Sequence, residues 1–190
     1  MPDSAGSARQ PHLLIGGSEN GSLYVVNRDD MGKYDGTCSS DTFPRVQKVP
    51  AGAGAILSTP LFWNNAVYVA PGNGNLKSFP MSGGILLSSA SQSTEKLGPL
   101  GATAVISSNG TNNAILWLID SSGALATPNT PAILRAYDPN NLSNEIYNST
   151  MAAESRDTAG LAVKFTIPTV ANGKVYVGSQ TELDVYGFLQ

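Results

Sequence analysis

One type of phrase recurs through this chain. It opens at Leu23 in "SLYVVNRDDMGKY", at Leu76 in "NLKSFPMSGGILL", at Leu134 in "ILRAYDPNNLSNEIY" and at Leu183 in "ELDVYGFL". Successive copies start 53, 58 and 49 residues apart. A second apolar run precedes each one: "HLLIGG", "AVYVAP", "AILWLID" and "KVYVGS". Runs this short, rich in Val, Ile and Tyr and bounded by Gly and Asn, read as strands.

The joints carry the same message. Three of the four links within these pairs are tight and turn-rich, "GSENGS", "PGNGN" and "SQTE", where Gly and Asn supply positive φ. The remaining link, Ser121 to Pro131, is a longer loop. Upstream of three pairs stands a further hairpin, "STPLFWNNAVYV", "ATAVISSNGTNNAILW" and "TIPTVANGKVYV", with Asn172-Gly173 the clearest two-residue turn. Each copy therefore reads as four antiparallel strands. The second is nearly all apolar, as a strand buried on both faces requires.

A strand repeat of roughly 40 to 60 residues points to propeller blades. The expected fold is an all-β propeller segment of about four four-stranded blades, near residues 11–50, 51–98, 99–160 and 161–190 of a single unit. The first copy lacks its first strand and the last lacks its fourth. That predicts part of a larger ring of seven or eight blades, with a four-bladed ring or a dimer of half-rings as alternatives. Open blade faces at both ends predict self-association of the chain by itself.

Composition narrows the function classes. Hydrophobic residues reach 41%, enough for a packed interior, while charged residues are only 13%, so Ser, Thr, Asn and Gly must cover the surface. A net charge of -3 without a Lys/Arg cluster argues against nucleic acid or an anionic membrane as partner. No apolar stretch approaches the ~20 residues of a spanning helix. The N-terminal "MPDSAGSARQPHLL" lacks the basic start and apolar core of a secretory signal, so either the protein is cytosolic or the chain is a piece of a longer one. Cys38 is the only cysteine and His12 the only histidine, so a disulfide within the chain is excluded, and no motif supports a catalytic triad on His12.

The stretch "LRAYDPNNLSNEIYNS" resembles the blade motif of PQQ-like (quinoprotein-like) β-propeller repeat proteins of bacteria. Ala136-Tyr137-Asp138 is the end of one strand, Pro139 to Glu145 the turn, and Ile146-Tyr147 the return. A looser copy lies in "YVVNRDDMGKY", with Asn27 at the Asp position and Tyr34 closing it, and "VANGKVYVG" is typical of such propellers. The likeness runs from about Pro11 onward and is strongest to the C-terminal portion of the large repeat proteins. It implies a periplasmic or secreted protein acting as a non-catalytic binding or scaffold module, taking a protein or saccharide partner through its blade loops. Two alternatives go with it: a PQQ- and calcium-dependent oxidoreductase acting on alcohols or sugars, and an outer-membrane assembly-type propeller. Where quinoprotein dehydrogenases carry docking tryptophans, this chain has Tyr34 and Tyr147. Trp63 and Trp117 fall on first and second strands instead. No motif here matches the family's cofactor-stacking Trp, calcium site or catalytic Asp.

Structural roles are expected at Asn27, Tyr34, Asp138, Tyr147, Asn172, Gly173 and Tyr176. Asp138 should pin its turn by accepting backbone N–H bonds, and loss of the Tyr147 or Tyr176 ring should cost about 3 kcal/mol or more. Asp29, Asp30 and Asp35 form a weak calcium candidate whose spacing does not fit a D-x-D-x-D-G loop. Glu154, Arg156 and Asp157 read as a solvated loop between blades rather than an acid–base pair. The sequons at Asn20, Asn109, Asn141 and Asn148 mark turns.

Overall fold

The computed structural model describes residues 1–31 and 47–187. Tyr34, Asp35 and Cys38 lie outside the described residues. Among the described residues, fifteen strands form four antiparallel sheets that follow one another along the chain. Sheet I contains β1 (Leu13–Gly17), β2 (Ser22–Asn27) and β3 (Gln47–Pro50). Sheet II contains β4 (Leu61–Trp63), β5 (Ala66–Val69), β6 (Asn75–Ser82), the two-residue β7 (Ile85–Leu86) and β8 (Ser91–Lys96), the last also paired with β6. Sheet III is β9 (Val105–Asn109), β10 (Asn112–Asp120), β11 (Ile133–Asp138) and β12 (Asn141–Asn148). Sheet IV is β13 (Thr169–Ala171), β14 (Lys174–Gly178) and β15 (Leu183–Tyr186). The chain is all-β and compatible with a propeller-like arrangement, and the described sheets do not close a ring.

Side-chain alternation makes the stack. On β5, Val67 and Val69 pack toward sheet I with Leu23 and Val25, while Tyr68, and Ala70 just beyond the strand, pack toward sheet III with Leu116, Leu118 and Tyr137. On β10 the period-2 switch recurs: Leu116 and Leu118 face sheet II, and Trp117 and Ile119 join Val175 and Val177 of sheet IV. One strand thus feeds two cores, which is why "AVYVA" and "AILWLI" have no polar alternation. The first copy departs from the expected pattern. β1 lies at the edge of sheet I and Leu14 is 41% exposed, because no described sheet packs on its other face.

Turn chemistry explains the hairpins. Asn64 and Asn65 adopt φ of 45° and 56°, and Asn172 and Gly173 adopt 50° and 71°. The left-handed region that each β4–β5 and β13–β14 turn requires is the one Asn and Gly enter cheaply. At the β11–β12 turn, Asn140 N–H donates to Asp138 Oδ1 at 2.9 Å. This side-chain bond closes the reversal at once, so β12 begins at Asn141 and not after Glu145 as the motif suggested. The extra length is absorbed as register shifts along β11–β12 and by full burial of Leu142.

The links between sheets hold to the preceding turns by backbone bonds. Ala51 N–H donates to Gly21 O (2.8 Å), Asn73 N–H to Gly98 O (3.0 Å), and Ala132 N–H to Gly160 O (3.0 Å). Small residues allow this approach. A Cβ on Gly54 would fall on the Gly72 carbonyl oxygen, and one on Gly72 would fall on that of Pro99. The Gly-Ala phrases "AGAGA", "GPLGA" and "TAGLA" are therefore a repeat in their own right.

Candidate functional site

Sheets III and IV separate into an open cleft of about 960 Å³. From sheet III, residues on the face opposite sheet II reach it: Ser107, Ile115 and Trp117 from β9 and β10, and Tyr147 from β12. From sheet IV come Val170, Val175, Asp184 and Tyr186. The loop after β12 supplies Arg156 and Asp157, and Lys174 stands at the β13–β14 hairpin.

Aromatic groups here are oriented by polar contacts. The Trp117 indole N–H donates to Ser107 Oγ at 2.9 Å. Tyr147 O–H donates to Asp157 Oδ2 at 2.8 Å, and Tyr186 O–H to the Asp157 carbonyl oxygen at 3.1 Å. Arg156 grips the same carboxylate with Nε at 2.8 Å from Oδ1 and Nη2 at 3.2 Å from Oδ2. One loop residue therefore holds two rings, one from each sheet. Such a pre-set aromatic wall loses little rotamer freedom on binding.

The electrostatics fix the protonation states of these groups. Bonds from Arg156 and Tyr147 hold the Asp157 carboxyl below its usual range. Burial and then the Asp157 bond push the Tyr147 phenol up, and burial with the nearby Asp184 charge raises Tyr186 to about 12. Near neutral pH the carboxylate is charged and accepts three hydrogen bonds, and both phenols keep their protons. None of the three is poised as a general acid or base. Asp184 is likewise engaged, accepting the Gly160 N–H at 3.1 Å.

Of the residues expected to act structurally, Tyr147 reaches this cleft, and Asn172-Gly173 turns the hairpin beside it. Asp138 lies in the β11–β12 turn and Asn27 ends β2, where its Oδ1 accepts the Asp29 N–H at 3.1 Å. Tyr176 is on the opposite face of sheet IV, half-buried, paired across the ladder with Val185. Asp29 binds His12 Nδ1 at 2.7 Å beside the end of sheet I, with Asp3 at 3.7 Å from Nε2. Among the described residues no group of three or more His, Cys, Asp or Glu could hold a metal ion.

Trp117, Asp157 and Tyr186 were not singled out as site residues from sequence. The available signal for Asp157 was weak: an Arg-Asp pair before the "TAGLA" link, in a stretch otherwise polar. Its capture by Tyr147 joins residues whose partnership no local pattern encodes.

No family model matches the chain, and no match was found among the curated proteins. Among solved structures it is similar to the crystal structure of the computationally designed Ika8 protein, at 12% identity and a TM-score of 0.46. That alignment covers 93% of this chain and 55% of the designed one, so the chain spans a little over half the length of that neighbour.

Proposed function

We propose that the chain is a segment of a PQQ-like β-propeller, acting outside the cytoplasm as a non-catalytic binding module that takes a partner in the cleft between sheets III and IV. The observation carrying the binding role is the trio Trp117, Tyr147 and Tyr186, turned into one cleft and fixed by Ser107 and Asp157. The propeller reading is supported by consecutive antiparallel sheets whose central strands feed a core on each side. A surface poor in charge and rich in Ser, Asn and Thr suits a periplasmic or secreted location.

Two experiments test this reading. In the first, melting is followed with and without PQQ and calcium: unchanged melting is expected, and a clear rise transfers the protein to the oxidoreductase class. In the second, short peptides and oligosaccharides are titrated while Trp117 emission is followed in a Trp63→Phe background. A saturable response abolished by Tyr147→Ala is expected. Silence toward both ligand classes would remove the binding role.

Self-association belongs to the same reading. Sheet IV leaves Leu183 (63%) and Val185 (51%) exposed on its last strand. Sheet I leaves Leu14 exposed on its outer side. Sedimentation should show concentration-dependent assembly; a monomer across the micromolar range would contradict it.

A further inference from the structure

We infer that one end of the sheet stack is a lipid-contacting surface, which dips Phe165 and its apolar neighbours into a bilayer of zwitterionic headgroups. This end is separate from the cleft and independent of the role proposed for it. The links between sheets, and the turns they bond to, all lie here, because each sheet finishes at this end and the next begins. Across residues 51–60, 70–75, 97–104, 121–132 and 158–168, which make up most of it, Lys164 is the only charged residue. Close approach of backbones accounts for the Gly and Ala in these segments. It does not account for the large apolar side chains they leave in solvent: Leu57, Leu125, Leu161, Val163, Phe165 and Ile167.

The last four belong to one link with a departure of its own. Gly72 N–H donates to Ala55 O at 2.8 Å and Gln180 N–H to Leu161 O at 2.9 Å, so these two carbonyls hold equivalent places. From there to the proline before the next strand, 161–168 is two residues longer than 55–60. The added length forms a turn at Lys164 and Phe165, where the Thr166 hydroxyl donates to Val163 O at 2.9 Å. Phe165 has φ of 62° and is 60% exposed. A bulky residue in the left-handed region carries a conformational cost that Gly or Asn would avoid, and this ring recovers little of it by burial. A bilayer supplies the missing burial.

Spread and charge select the lipid. A protein hot spot is a tight cluster of anchors seated in a pocket. Here the apolar tips stand on separate loops: Leu57 between sheets I and II, Leu125 between β10 and β11, and Phe165 between sheets III and IV. A broad end with several such tips fits an extended apolar phase. These segments bring no carboxylate to the headgroup phosphates, while Lys164 offers an ammonium on a stem that tolerates apolar surroundings. With a single cation the attraction comes from apolar burial and not from charge, in keeping with the net charge of -3.

The test is flotation of the full chain with phosphatidylcholine vesicles, in low and in molar salt. The chain should float with the vesicles in both. Phe165→Gly should lower the partition coefficient by about tenfold. It should still melt within about 4 °C of the parent, since glycine takes the left-handed turn without steric cost. Ile85→Ser, which removes an exposed apolar side chain at the opposite end of the stack, should float as the parent does. Absence of flotation, or flotation that Phe165→Gly leaves unchanged, overturns the inference. So does flotation that requires phosphatidylglycerol and vanishes in molar salt, because that attraction would be one of charge. If vesicles are ignored and Phe165→Gly instead weakens self-association in sedimentation, this end is an interface between copies of the chain and the lipid surface is overturned.

Discussion

The Tyr68 hydroxyl donates to the carbonyl oxygen of Pro139 at 3.1 Å, in the interior between sheets II and III. The bond spans 71 residues of sequence and ties a central strand of one sheet to the β11–β12 turn of the next. Because Tyr68 is 3% exposed, neither group has water as a substitute. Removing the donor leaves a buried carbonyl without a partner.

Tyr68→Phe should therefore lower stability at neutral pH by about 1 to 3 kcal/mol, measured by urea unfolding. It should also change the alkaline profile. Burial, then the Asp138 charge, raises the Tyr68 phenol from 10.0 to about 12. Its unfolded counterpart loses a proton near pH 10, so the stabilisation is complete below that pH and is lost as pH rises to about 12. The parent should lose stability steeply across this window. The variant should show a shallower fall, and an unaltered slope would contradict the assignment.

Gly54→Ala should destabilise by about 2 kcal/mol or more, since its Cβ would coincide with the Gly72 carbonyl and backbone must move. Gly16→Ala, with nothing within 4 Å of the added carbon, should stay within about 1 kcal/mol of the parent. Thermal melts of the pair check whether close contact at the sheet junctions matters more than glycine content.

Arg135 lies between sheets II and III with its side chain 13% exposed, its Nη1 2.7 Å from Glu145 Oε1 and its Nη2 3.6 Å from Asp120 Oδ2. Arg135→Ala strands two shielded carboxylates and should cost about 3 kcal/mol or more. The double change Arg135→Met with Glu145→Leu should recover part of that loss, because it removes the Arg135 and Glu145 charges together while Asp120 keeps its bonds from Ser122. A double variant no better than the single one would assign the effect to packing alone.

The two tyrosines expected to matter equally should now differ. Tyr147 bonds Asp157 and packs against the core between sheets III and IV, so Tyr147→Ala should cost about 3 kcal/mol and Tyr147→Phe about 1 kcal/mol. Tyr176 lies half-buried on the far face of sheet IV, and Tyr176→Ala should cost about 1 kcal/mol. Chemical denaturation of the three variants separates these values.

The strand repeat was readable because its signals are local. Asn172-Gly173 is a pair that enters the left-handed region cheaply and does so here, and the unbroken apolar run of "AVYVA" already states that both faces of β5 are covered. Asp138 bonding to the amide two residues on is equally local. Legibility fell where a residue's partner lay far along the chain. The register shifts along β11–β12 were not legible, since they accompany the burial of Leu142, whose N–H bonds Ser91 of the neighbouring sheet 51 residues away.

Strand order, hairpin chemistry and the two-faced core strands were written in residues that act on their immediate neighbours. The cleft was decided in three dimensions. Asp157 belongs to a polar loop in one dimension and becomes the anchor of Tyr147 and Tyr186 only when two sheets bring their facing sides together. Local pattern reports which face a side chain takes, whereas the gap between two faces depends on how the sheets dock. Docking is set by backbone approach at the glycine junctions and by contacts separated by many residues.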